Sequence, residues 1–172
     1  MFALAREIRV MDKNKILGHI KSTLVKRAPD DAQLKAMKID DIILEQQDAV
    51  YIMSRLANRM QSQTKELVLG ESNLEHIFPK NPSGEWKNVD DLEPYLWHIG
   101  NLTMLGKRLN GNAGNAGFPK KRVYYEKNTE LEMAKRVAAD YQSWDIAAIH
   151  KRTKQLIPLV AEIWNFNNTS RV

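Results

Sequence analysis

Asn73-Leu74-Glu75-His76-Ile77-Phe78-Pro79 and Gly100-Asn101-Leu102-Thr103-Met104-Leu105 bracket the part of the chain whose reading decides the fold. Each is a short run of apolar residues bounded by proline or glycine, which is the pattern of a strand. Ser72-x-x-Glu75 also matches a helix-capping box. Pro79 and Pro82, with Gly84 beyond, leave room for only about two turns. An extended segment from Leu74 to Phe78 therefore fits better. Between the two runs, Pro79 to about Leu96 reads as a long polar loop anchored by Trp86 and Tyr95, with Asp90-Asp91 capping a short turn that ends near Pro94. Lys107-Arg108-Leu109-Asn110 begins a helix. The order is strand, long loop, strand, helix.

Working outward, residues 1–28 carry apolar positions at helical spacing (Ile8, Ile16, Leu17, Ile20, Leu24), and Pro29-Asp30-Asp31 ends that segment. A second helix is expected from Asp40 to about Gln63, with Ile43, Val50, Met53, Leu56, Ala57 and Met60 on its apolar stripe. Lys65 to Leu69 is either a short strand or the end of that helix. Beyond the strands, Phe118 to Asp140 reads as one helix. A last helix is capped by Asp145 and reaches Trp164, with Pro158 expected to kink or divide it. His19 reads as a surface or packing residue, His150 as a surface residue and His98 as structural. The fold class is α+β, mostly helical, with a division at residue 70 into an N-terminal helical segment (1–70) and a site-bearing domain (71–172).

Composition narrows the chemistry. The chain has 172 residues, a net charge of +5 and no cysteine. Disulfides and thiolate metal sites are excluded, so any metal is held by oxygen or imidazole. No apolar run approaches the roughly 18 residues of a membrane span. No secretory leader is legible either, and a cytoplasmic location is expected. From Lys107 to Lys127 six basic residues face one acid, Glu126. Such a cluster is either a solvated basic face or a surface for a polyanion such as DNA. The run Gly106 to Gly117 holds four glycines and three asparagines. It fits neither the phosphate-binding Walker loop nor the dinucleotide fingerprint. A connector around the helix bearing Asn110 explains it better than a phosphate cradle does.

Glu75, His76 and the asparagines are the groups that phosphodiester hydrolysis needs. Histidine accepts a proton near neutral pH. Carboxylate and amide oxygens suit a hard divalent cation such as Mg2+, which neutralises phosphate charge. One geometric difficulty stands. Neighbouring residues in a strand point to opposite faces, so Glu75 and His76 share a site only if the strand ends or bends there.

Taken together, Leu74-Glu75-His76-Ile77-Phe78-Pro79, Gly100-Asn101-Leu102-Thr103-Met104-Leu105, Asn110 and Phe118-Pro119-Lys120-Lys121 resemble the HNH (His-Me finger) nucleases. They most resemble the HNH domain at the C-terminus of GmrSD-type modification-dependent restriction proteins, over about residues 50–172. The resemblance implies a ββα-metal motif and a DNA endonuclease using Mg2+, Mn2+ or another divalent cation in restriction or anti-phage defence. It implies His76 as general base and Glu75 as metal ligand. Asn101 would orient the His76 ring or brace the loop between the strands. Asn110 would be the second metal ligand, with Asn112 and Asn115 competing for that role. Lys121 would contact phosphate, beside Lys107, Arg108, Lys120 and Arg122 on the DNA-binding stretch. GmrSD-type proteins carry an N-terminal nucleotide-dependent domain, which nothing here resembles. A fragment or stand-alone relative is therefore expected, with residues 1–70 as a connector. The alternative is a catalytically silent DNA-binding module using stretch 107–127.

Overall fold

The computed structural model describes residues 11–16, 18, 19, 38, 42–61 and 72–164. There are two compact units. One spans Met37–Ile163, and the other takes Met1–Ala36 and Trp164–Val172. In the latter, residues 13–16 and 18–19 are helical, and the Asp12 carboxylate accepts the Asn14 N–H at 2.8 Å. His19 is half-buried there. Most of the helix expected over 1–28, and all of the Lys65–Leu69 alternative, lie outside the described residues.

The unit Met37–Ile163 is built on one antiparallel hairpin. Strand β1 is Ser72–His76 and β2 is Leu102–Gly106, with Glu75 opposite Thr103 and His76 opposite Leu102. Helix α1, Gln46–Gln61, precedes the hairpin. The connection carries α2, Val89–Leu92, followed by single 3-10 turns at Glu93–Tyr95 and Ile99–Asn101. After β2 come α3 (Lys107–Ala113), α4 (Phe118–Asn128), α5 (Glu132–Asp140) and α6 (Ile146–Ile163). The α+β class and the strand–loop–strand–helix order agree with the sequence reading.

The pleat sorts the core into two clusters. Leu74, Leu102 and Met104 share one side of the hairpin with Met53 and Leu56 of α1 and Leu156 of α6. Leu105 joins the other cluster, with Ile77, Phe78, Trp86, Phe118, Tyr125 and Trp144. Trp86 anchors the long loop by donating its indole N–H to Ala116 O at 2.9 Å. Gly100 is confined to glycine because a Cβ would collide with the Ile149 carbonyl and the Thr153 hydroxyl on α6.

Three local expectations are corrected. Phe118 to Asp140 is two helices, broken at residues 129–131. Thr129 is extended there, and Gln61 of α1 crosses over to accept the Glu132 N–H at 2.8 Å and to donate to Glu130 O at 3.1 Å. Helix α6 runs through Pro158 undivided, which removes division from the expected kink or division. Pro158 is exposed, as is Lys154 one turn earlier, so solvent can satisfy the carbonyl that the missing N–H leaves. Asp90 and Asp91 lie inside α2, and the cap position belongs to Asn88 in the left-handed region (φ 56°). The Asp145 cap is as expected, its carboxylate accepting the Ala148 N–H at 2.8 Å.

Candidate functional site

Strand alternation places Glu75 and His76 on opposite faces of β1. Glu75 is buried against α4. One carboxylate oxygen, Oε1, accepts from Lys121 Nζ and from the Tyr125 hydroxyl, both at 2.7 Å. Lys121 is 1 % exposed, and its Nζ also donates to the His76 carbonyl at 2.8 Å. Burial pushes the Glu75 carboxyl up despite the opposing pull of Lys121. Burial likewise pulls the Lys121 ammonium down against the attraction of Glu75, and lifts the Tyr125 hydroxyl well above its ordinary value.

His76 is half-buried on the other face. Its ring meets the Trp97 ring edge-on, 4.6 Å between centroids. It lines an open groove of about 410 Å³ with Gln46, Val50, Ser72, Asn73, Leu74, Lys80 and Trp97. Its Nε2 is buried with no hydrogen-bond partner. Burial, then Lys80, then Lys121 lower its pKa to about 4, so the imidazole is neutral at neutral pH. Lys80 stands over the Trp97 ring, Nζ 4.5 Å from the centroid.

Asn101 is fully buried and braces the loop after His76. Its amide oxygen accepts the Phe78 N–H at 2.8 Å and the Trp144 indole N–H at 3.0 Å. Its amide nitrogen donates to Phe78 O and Leu96 O, both at 3.1 Å. Of the two roles open to Asn101, bracing is the one its bonds serve. Asn110 sits on α3, where its amide nitrogen donates to Leu74 O at 2.8 Å. The carbonyls of Leu74 and His76, two residues apart, face the same edge of β1. Asn110 and Lys121 therefore clip successive points of that edge to α3 and α4.

A divalent ion at this site would need hard oxygen donors near His76. Among the described residues no three His, Asp or Glu side chains cluster for one. Glu75 does not fit as a ligand in this arrangement. An ammonium already neutralises it, and it lies across the strand from His76. Asn110 keeps an amide oxygen as a donor, and Asn112 and Asn115 are exposed on and just beyond α3.

The basic stretch is dispersed. Lys107 and Arg108 are exposed on α3. Lys120 pairs with Glu85, whose carboxyl is held below its ordinary value by that hydrogen bond and by the Gly117 N–H. Lys121 faces inward, not toward solvent. Arg122 donates to Ala138 O at 2.8 Å. His98 is buried and its Nδ1 accepts the Gly100 N–H at 3.2 Å. His150, expected at the surface, is half-buried with its ring 5.4 Å from Tyr95.

Four residues escaped the sequence reading. Lys80 and Trp97 lie outside the quoted motifs and reach the groove only through the fold. Tyr125 is one turn beyond Lys121, a spacing that could have paired them on one helix face. Arg152 hid in a basic run on α6. It is buried, its pKa lowered by burial to about 10, and it donates to Gly100 O and Leu102 O at 2.7 and 2.6 Å.

Fold and groove together define a small, mostly helical α+β domain with one histidine displayed from a two-stranded hairpin. Residues 28–159 match the family described as GmrSD restriction endonucleases, C-terminal domain, and the chain belongs to that family. The match begins earlier than residue 50 and takes in α1. Comparison with curated proteins finds no match. No helix among the described residues is long and apolar enough to cross a membrane.

Proposed function

We propose that this domain is an HNH-type endonuclease that hydrolyses DNA phosphodiester bonds, with His76 as the general base, in restriction of foreign DNA. The observation that carries the reading is His76 on the wall of an open groove, its ring left with an Nε2 that has no hydrogen-bond partner. A buried polar atom left unsatisfied costs about 1–3 kcal/mol, a cost that a water or phosphate oxygen reaching the ring from the groove would relieve. A neutral imidazole can take the proton from an attacking water. A phosphate entering the groove brings negative charge beside the ring and raises its basicity toward the ordinary value. Asn101 holds the backbone after His76 in place, and Lys121 holds the His76 carbonyl from the opposite face. In this reading Lys107 and Arg108, exposed on α3, meet the DNA backbone.

Mg2+ or Mn2+ is the cofactor this reading calls for, and it would neutralise phosphate charge when bound. The Lys121 clamp on Glu75 leaves the ligand set open. In the intact protein the domain would act beside a nucleotide-dependent N-terminal domain. The Lys121 and Tyr125 bonds to Glu75 Oε1 favour one rival reading, a silent DNA-binding module.

Supercoiled plasmid with Mg2+ or Mn2+ separates these readings. Cleavage should fall at least about a hundredfold in His76→Ala, with the melting temperature little changed because the ring is half-exposed. Intact plasmid with the wild-type chain, or equal cutting by His76→Ala, would overturn the nuclease reading. Cleavage that survives a chelator would remove the metal and leave the base.

A further inference from the structure

The groove beside His76 needs a cation to receive phosphate, and Lys121, the residue matching the family pattern, is sealed behind the strand. We infer that Lys80 is the phosphate-binding cation of this groove, held in waiting on the face of Trp97. The inference rests on the nuclease reading of His76 and names the residue that brings substrate to it.

Three observations carry it. Lys80 lines the same groove as His76, and its charge is felt at the imidazole. Lys80 is exposed, and among the described residues no carboxylate pairs with it; its contact is with the Trp97 ring, 4.5 Å away. By contrast Lys120 is paired with Glu85 and Lys121 with Glu75. A lysine on an indole face keeps most of its hydration and is held only weakly at an exposed site. A phosphate oxygen offers a charge-assisted hydrogen bond in exchange, which is stronger. Lys80 can therefore move from ring to phosphate at small cost.

The backbone is prepared for this. Asn101 grips both the N–H and the carbonyl of Phe78, and Ile77 N–H donates to Asn101 O at 3.0 Å. Pro79, buried, follows at once. The root of Lys80 is thus fixed to the hairpin while its four-carbon stem is free to swing. Trp97 is fixed on the neighbouring side, its carbonyl accepting the Leu44 N–H at 2.9 Å. His76 touches the edge of the same indole. One tryptophan therefore sets the spacing between base and cation. The chemistry recognised is the phosphodiester backbone, so the contribution is independent of sequence.

The test is equilibrium binding of a labelled DNA duplex to the full chain in chelator, over a series of salt concentrations, with plasmid cleavage run in parallel. Lys80→Gln should weaken binding several-fold and flatten the plot of log affinity against log salt by about 1. Lys80→Arg should restore both. Lys154→Gln, which removes the same charge from α6 outside the groove, is the control. If Lys80→Gln changes affinity and slope no more than Lys154→Gln, the inference is overturned, while His76-dependent cleavage would leave the nuclease reading standing. Absence of DNA binding by the wild-type chain at low salt would also overturn it. Loss of cleavage in Lys80→Gln with unchanged binding would refute the binding role.

Discussion

Glu75 and His76 are neighbours on one strand, yet one is enclosed by bonds and the other is left wanting them. Glu75 meets an ammonium and a phenol at 2.7 Å, both on α4 and both buried. His76 lines an open groove with an unpartnered nitrogen and an exposed cation at hand. The strand's two-residue period makes this possible. It lets a single Glu-His dipeptide fasten the hairpin to its helix with one side chain and present the next to the groove. On this view the Glu75 face governs stability and the His76 face governs activity.

The largest effect should come from breaking the sealed face. Lys121→Met leaves the Glu75 carboxylate buried without its cation and the His76 carbonyl without its donor. The expected loss is about 3–5 kcal/mol, read as a fall in the denaturation midpoint. Pairing it with Glu75→Leu should recover part of the loss, because no lone charge then remains. The recovery is incomplete, since the Tyr125 hydroxyl also loses its acceptor. If Lys121→Met instead left the midpoint unchanged and weakened DNA binding, Lys121 would belong to the phosphate surface and the contrast between the faces would collapse.

Asn101 lies between the two, and its replacement is the sharper probe. Asn101→Ala strands the Phe78 and Trp144 donors and two carbonyl acceptors, for a loss of about 3 kcal/mol. Because the same amide fixes the root of Lys80 and the turn after His76, activity should fall further than the folded fraction does. Comparing cleavage per folded molecule with the denaturation midpoint checks this. Equal falls would make Asn101 a core residue only.

These residues also show what the chain discloses before it folds. The hairpin, the helix after it and the Asp145 cap follow from local pattern: alternation, proline and glycine breaks, and a capping carboxylate. Even the opposition of Glu75 and His76 was implicit in the strand period. What the sequence conceals is set by contacts far apart in the chain. Gln61, distant in sequence, bonds Glu130 O and the Glu132 N–H across the break between α4 and α5, where the local device is the Thr129 hydroxyl accepting the Leu131 N–H. Lys121 looked like a surface base because its neighbours are Lys120 and Arg122. Only the docking of α4 on β1 turns it inward to Glu75. Trp97 and Lys80 are separated by 17 positions and meet through the fold alone.

The smallest effect concerns protons, and it distinguishes the two faces without disturbing either fold. His76 has its folded pKa lowered from 6.5 to about 4, by burial first, then Lys80, then Lys121. The neutral ring is thus favoured by folding. Its contribution to stability is fully present above pH 6.5 and is lost as pH falls through about 4. If His76 is the base, the acid limb of kcat/KM, which reports the free protein, should fall near pH 4. The acid limb of kcat should lie higher, since bound phosphate favours the imidazolium. Lys80→Gln removes one of the lowering charges and should move the His76 titration upward, measurable by NMR of the ring protons. The movement should be partial, because burial is the larger cause and remains. A titration near the ordinary value in the wild-type chain would mean that the ring is more open to water than the groove allows. A His76 titration indifferent to Lys80 would separate the cation from the base and leave the groove with neither partner assigned to the other.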